Sequence, residues 1–189
     1  MATPQAIVIG CSAGGLTALE ELFAGIDATV SQPIAVCCHT GSSTVDLLCE
    51  LLARHATLPV EEARERTPMR GGVIYVAPSG YHLLVETSRR FALSVDQRVS
   101  FARPSIDVLF ESAAEAWRDG LIGVLLTGAN SDGADGLLQV REHGGLAIVQ
   151  DPADAECPAM PSAALERAGA DHCLPLADIA PLINRLCLQ

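Results

Sequence analysis

Short apolar runs alternate with segments whose apolar residues fall at helical spacing. The runs are Ala6-Ile7-Val8-Ile9, Ile34-Ala35-Val36-Cys37-Cys38, Val73-Ile74-Tyr75-Val76-Ala77, Leu121 to Leu126 and Ala147 to Gln150. Most are continuously apolar, the pattern of strands buried on both faces. After the first run, Leu16, Leu19, Leu22 and Phe23 fall on one helical face. Further helices are predicted over Val45 to Arg54, Ile106 to Trp117, Leu137 to His143, Ala159 to Ala168 and Ile179 to Leu186. Pro104-Ser105 just before the third of these helices is a start signal, and Gly144-Gly145 a stop signal. His82 to Glu86 and Phe91 to Val95 flank Thr87-Ser88-Arg89-Arg90 and predict a hairpin at a sheet edge. The alternation as a whole predicts an α/β fold: a parallel sheet with an antiparallel piece added.

Composition narrows the class. The 189 residues carry no repeat, low-complexity stretch or linker, so one domain over 1–189 is expected. Hydrophobic residues make up 49% and aromatic ones only 4%, which predicts a core of Leu, Val, Ile and Ala. No run approaches the ~20 apolar residues of a membrane span. Met1 to Gln5 show no leader pattern, so a cytoplasmic protein that is not membrane-inserted is expected. Net charge is −11, and every basic residue is an arginine, with no basic cluster beyond Arg89-Arg90. Nucleic acid as a main partner is thereby disfavoured, because binding it needs a positive footprint. Seven cysteines, none in a C-x-x-C pair, read as reduced thiols filling small apolar spaces. Cys11 and Cys38 stand apart because each adjoins a candidate site residue.

The candidate chemistry lies where predicted strands end. Gly10-Cys11-Ser12-Ala13-Gly14-Gly15 joins a strand to a helix and satisfies G-x-S-x-G. A serine at such a turn stands clear of the sheet, and the first helical amides point toward it. The same turn also suits phosphate binding or simple tight packing. His39 directly follows the second run. Asp132 sits in Thr127-Gly128-Ala129-Asn130-Ser131-Asp132-Gly133 after the Leu121–Leu126 run. Ligands of parallel sheets bind beyond the carboxyl ends of the strands, so all three loops converge at one edge. Serine is a poor nucleophile until a base takes its proton and a carboxylate holds that base. Taken singly, His39 also fits a packing or capping role, and Asp132 a turn or cap, with Asp135 a competitor. A calcium loop fails on Ala134 and the lack of a closing glutamate. His55, His82, His143 and His172 fall near element ends and are expected at the surface.

With these loops in view, the chain resembles the catalytic domain of the CheB family of chemoreceptor protein-glutamate methylesterases. The resemblance rests on Gly10 to Gly15, His39, Gly72-Val73-Ile74-Tyr75-Val76-Ala77-Pro78 and Arg103 to Ala114. Leu126-Thr127-Gly128, Asp132-Gly133-Ala134, Gln150-Asp151 and Met160-Pro161 follow in the family's order. It implies a doubly wound, mostly parallel sheet with helices on both faces and an antiparallel edge hairpin, a Rossmann-like three-layer sandwich. It implies Ser12 as nucleophile, His39 as general base and acid, and Asp132 as its carboxylate partner. Amides near Ala13, Gly14 and Ala129 would bind the oxyanion, and neither cofactor nor metal would be needed. The implied substrates are glutamate γ-methyl esters on cytoplasmic helices of chemoreceptors or related sensory transducers.

The chain departs from the family where Ser12-Ala13-Gly14-Gly15 replaces Ser-Thr-Gly-Gly and Cys38-His39-Thr40-Gly41 replaces Gln-His-Met-Pro. Thr127-Gly128-Ala129-Asn130 likewise replaces Thr-Gly-Met-Gly. Smaller side chains imply a wider pocket. Family members usually carry an N-terminal receiver domain. A strand starting near Ala6 leads us to expect a free-standing esterase or a separated domain. Three alternatives stay open. One is a glutamine deamidase using the same triad, and another a catalytically weak module that binds receptors. The third, a nucleotide-binding protein, lacks G-x-G-x-x-G and the Walker lysine.

Overall fold

The computed structural model describes residues 3–39 and 45–188. Nine strands and six α-helices are formed among them. In the first half, β1 (Ala6–Cys11), α1 (Gly15–Gly25), β2 (Ile34–Cys38), α2 (Val45–Ala53), β3 (Val60–Glu62) and β4 (Ile74–Val76) follow in order. A hairpin of β5 (His82–Val85) and β6 (Phe91–Ser94) then leads to α3 (Ile106–Trp117). The second half runs β7 (Leu121–Leu125), α4 (Ala134–Glu142), β8 (Leu146–Gln150), α5 (Ala159–Arg167), β9 (His172–Leu174) and α6 (Leu176–Cys187).

Seven strands form one sheet in the order β3-β4-β2-β1-β7-β8-β9, with every neighbouring pair parallel. The central strands are buried on both faces. Along β1, Ala6 and Val8 face one core with α3, α4 and α5, while Ile7, Ile9 and Cys11 face the other with α1 and α6. That two-sided burial is why the run is apolar at every position instead of alternating. The chain winds outward from β1 through β2 and returns through β7 on the other side. The strand order therefore reverses between β1 and β7, the place where open α/β sheets bind ligands.

The doubly wound expectation is met, with one difference. The hairpin forms a separate two-stranded sheet and is not part of the large one. Leu83, Val85 and Phe91 pack into the core shared with α3, and backbone hydrogen bonds between Phe91 and the Arg66–Thr67 segment, with a bridge from Arg90 to Pro68, tie it to the chain that follows β3. The expectation for His82 is corrected as well. It is 1% exposed. Its Nε2 lies 2.9 Å from the Gln97 carbonyl and its Nδ1 accepts the Ser105 amide, so it ties the hairpin and the following loop to the start of α3.

Candidate active site

Ser12 follows β1 directly. Its amide donates to the Thr127 carbonyl and its carbonyl accepts the Gly15 amide, which closes the turn into α1. Gly14 occupies the left-handed region at φ 77° as the residue before the helix, a conformation a side chain would strain. Thr127, buried after β7, donates its hydroxyl to the Ala13 carbonyl and so pins the turn from the neighbouring strand. The Thr127 amide in turn donates to Gln150 Oε1 at the end of β8. Thus Thr127 and Gln150, residues of the family-like motifs, brace the turn that carries Ser12.

His39 is the first residue after β2, its amide donating to the Cys11 carbonyl. Its ring reaches across the carboxyl ends of the strands, Nε2 lying 2.8 Å from Asp132 Oδ2. The N–H direction lies off that line, a misalignment common in unliganded active sites. The imidazole keeps 14% of its surface open, whereas Asp132 is fully buried. Asp132 also accepts the Ser105 hydroxyl and the Ile106 and Asp107 amides, all within 3.0 Å. Burial pushes its pKa up. The His39 ring, the two amides and the serine hydroxyl outweigh burial and hold it below the ordinary carboxylate range.

Ser12 and His39 open into one cavity of about 340 Å³. Cys38, Ala77 and Ser79 line it on one side and Asn130 on another, with residues 98 and 100–104 forming a rim. The rim turns tightly between Val99 and Ala102, with Ser100 and Phe101 both at positive φ. Phe101 is thrust outward and is 95% exposed. Arg103 Nη1 donates to the Val95 and Asp96 carbonyls and holds the rim in place. Thr40 and Gly41 lie outside the described residues.

Not every sequence-derived candidate faces this cavity. Asp135 is excluded from it, pairing on the surface with Arg167. Gly14 lines a different hollow and packs against Glu156. Ala13 is partly buried and Ala129 exposed. Among the described residues, none accepts a hydrogen bond from the amides of Ala13, Gly14 or Ala129. Three participants escaped sequence reasoning. Asn130 places Nδ2 3.5 Å from His39 Nδ1 while its Oδ1 accepts the Asp132 amide. Ser105 reads from sequence only as a helix start, yet bonds Asp132. Asp107 is buried behind them and accepts the Gly133 and Gly136 amides. Among the described residues, no three His, Cys, Asp or Glu side chains converge as a metal site requires. No described helix is long and apolar enough to cross a membrane.

The chain is similar over nearly its whole length to several known proteins. A protein of Leptospira interrogans named "Putative protein-glutamate methylesterase/protein-glutamine glutaminase" is 46% identical over 182 residues, covering 96% of this chain and 94% of its own length. A protein-glutamate methylesterase/protein-glutamine glutaminase of Symbiobacterium thermophilum is 37% identical over 95% of this chain, which spans 49% of that longer protein. The crystal structure of the Thermotoga maritima CheB methylesterase catalytic domain superposes with a TM-score of 0.92 at 28% identity, covering 98% of this chain and all of that one. Residues 7–183 match the family model for CheB methylesterase, and the chain belongs to that family.

Proposed function

We propose that the chain, acting as a single catalytic domain over 1–189, hydrolyses glutamate γ-methyl esters on the cytoplasmic helices of chemoreceptors or related sensory transducers. The observation that carries this reading is the ionised, buried Asp132 lying 2.8 Å behind His39, in a cavity that His39 shares with Ser12. The names of the relatives supply the substrate class.

Ser12 Oγ attacks the ester carbonyl as His39 takes its proton. Nε2 lies 2.8 Å from Asp132, which leaves Nδ1, 3.5 Å from Asn130 Nδ2, as the nitrogen to act as base. The negative charge that develops on the carbonyl oxygen needs preorganised donors. The uncommitted amides of Ala13, Gly14 and Ala129 are the candidates, and the Asn130 carboxamide at the cavity wall is a further one. Methoxide leaves as methanol once His39 returns the proton, since it departs poorly without an acid. Water deprotonated by His39 then attacks the γ-glutamyl ester of Ser12, releasing free glutamate. Asp132 keeps the ring oriented and stabilises its cation throughout.

Deamidation of glutamine passes through the same γ-glutamyl ester, with ammonia as the leaving group. Both activities appear in the relatives' names, and we assign both to this site. The test supplies receptor cytoplasmic fragments carrying either methylated glutamate or glutamine, and measures methanol and ammonia. Methanol release from the methylated fragments is expected. Binding of both fragments with neither product released would overturn the reading in favour of a receptor-binding module.

A further inference from the structure

Two cysteines that the esterase chemistry does not use stand directly beside its nucleophile and base. Cys11 precedes Ser12 and ends β1, and Cys38 precedes His39 and ends β2. The two strands run parallel with Cys11 directly opposite Cys38, and both side chains point to the same face. Cys37 points to the other face and is separated from the pair by the sheet itself. Directly paired residues on neighbouring strands sit about 4.8 Å apart, inside the ~4.4–6.8 Å range that a disulfide spans between Cα atoms. The sulfurs converge on one point. A side chain at Gly15 would place its Cβ 2.7 Å from Cys11 Sγ and 3.4 Å from Cys38 Sγ.

We propose that Cys11 and Cys38 form a peroxide-oxidisable thiol pair whose disulfide closes the adjoining site. Two features give the sulfurs different tasks, and a third favours a thiolate at either. Cys38 lines the Ser12–His39 cavity and is reached from solvent through it, whereas Cys11 is fully buried. Both lie against Gly15, the first residue of α1, where a helix N-terminus favours a thiolate. A hydrogen bond from Cys11 lowers the Cys38 pKa, while that same bond and burial raise that of Cys11. Cys38, open to the cavity, is therefore the sulfur that meets peroxide and attacks it as its thiolate, and Cys11, buried beside it, is the one that resolves it.

The Cys38 thiolate attacks one oxygen of hydrogen peroxide, breaking the O–O bond and leaving Cys38 sulfenic acid and hydroxide. Cys11 sulfur then attacks Cys38 sulfur, forming the S–S bond as the S–O bond breaks. The displaced hydroxide takes the Cys11 proton. In sum, two thiols and one peroxide give one disulfide and two waters, the thiols losing two electrons to the peroxide. The bond forms at the ends of β1 and β2, where Ser12 and His39 are the next residues. The sulfurs already lie against Gly15, so the change in side-chain geometry that the S–S bond requires is passed to the turn carrying Ser12.

The pair itself stands on geometry alone, and only the loss of activity rests on the proposed function. The experiment exposes the reduced full chain to hydrogen peroxide, blocks remaining thiols with N-ethylmaleimide and digests with a glutamate-specific protease. Cleavage after Glu20 or Glu21 separates the two cysteines. A linked Cys11–Cys38 peptide that dithiothreitol releases is expected. Methanol release from methylated receptor fragments should fall by about 10²-fold and recover on reduction, since misplacing reacting groups by about 1 Å costs that much. In Cys11→Ser, a persistent Cys38 sulfenic acid trapped by dimedone is expected.

Both cysteines blocked by maleimide after peroxide, or Cys38 converted to sulfinic acid with no linked peptide, would overturn the pair. A linked peptide with undiminished methanol release would overturn the closure. If the reduced chain releases no methanol at all, the functional reading fails while the peptide map still decides the pair. That map is made on the native sequence and does not depend on the variant folding.

Discussion

Asp132 is fully buried, and the His39 ring beside it and three hydrogen bonds, from the Ile106 and Asp107 amides and the Ser105 hydroxyl, hold its pKa down against burial. The three hydrogen bonds do not depend on the protonation of His39, so the carboxylate is held in place before any substrate arrives. Replacing it with asparagine keeps the shape and removes the charge that stabilises the imidazolium. By analogy with serine proteases, Asp132→Asn should lower kcat by ~10⁴. Asp135→Asn removes only an exposed pair with Arg167 and should leave kcat unchanged. Steady-state methanol release by both variants checks the assignment, and equal losses would remove Asp132 from its role. The loops that carry Ser12, His39 and Asp132 were legible in the sequence because each leaves a recognisable strand. Asn130, Ser105 and Asp107 were not. Asn130 meets His39 from a distant loop, and the contacts of Ser105 and Asp107 join the start of α3 to a loop 25 or more residues away; no local pattern records either meeting.

At the scale of elements, α3 and α4 cap one another across the site. Asp132, in the loop entering α4, accepts the first amides of α3. Asp107, in the first turn of α3, accepts the Gly133 and Gly136 amides at the start of α4. Carboxylates at both helix N-termini complement the helix dipoles. Burial nevertheless raises the Asp107 pKa to about 7; the Gly136 and Gly133 amides oppose the rise and the neighbouring Asp132 adds to it. An unfolded aspartate ionises near ~3.9, so between that value and about 7 the folded chain holds a proton that the unfolded chain has lost. Stability from this group is therefore greatest at low pH and is lost as pH rises through that window. Wild type should lose about 2 kcal/mol relative to Asp107→Asn between pH 5 and pH 8. Urea unfolding of both at the two pH values measures this. A difference that stays constant or runs the other way would contradict it. The start of α3 was legible from Pro104-Ser105, whereas α4 begins three residues before its predicted start, at Ala134. Gly133, at φ 97° with no side-chain cap, carries no capping signal of its own.

At the scale of the molecule, the sheet's reversal between β1 and β7 gathers the three loops, and the rim around Phe101 borders the cavity that Ser12 and His39 share. The parallel core was legible because its strands are apolar at every position. The edge strands β3 and β9 were not, since three-residue segments such as Val60-Glu61-Glu62 and His172-Cys173-Leu174 are too short and too polar to show a period. The buried state of His82 was hidden for a related reason: the loop that covers it comes from residues downstream of the hairpin. The cavity rim carries Arg98 and Arg103 beside Phe101, whose ring is the large apolar surface it offers to a docking segment. Burying a phenylalanine is worth about 1.5–3 kcal/mol. Phe101→Ala should thus raise KM for receptor fragments about tenfold or more with kcat unchanged. Its folding stability should shift by less than about 0.5 kcal/mol, because the side chain is almost fully exposed. An unchanged KM would place docking elsewhere.

The most direct test of the whole account is the initial rate of methanol release from methylated receptor cytoplasmic fragments by the wild-type chain and by Ser12→Ala, with folding of both verified by circular dichroism. Release by the wild type that falls to background in a folded Ser12→Ala is the predicted result. A folded Ser12→Ala that keeps the wild-type rate would contradict it, since the bond between substrate and protein would then form at some other atom or at none.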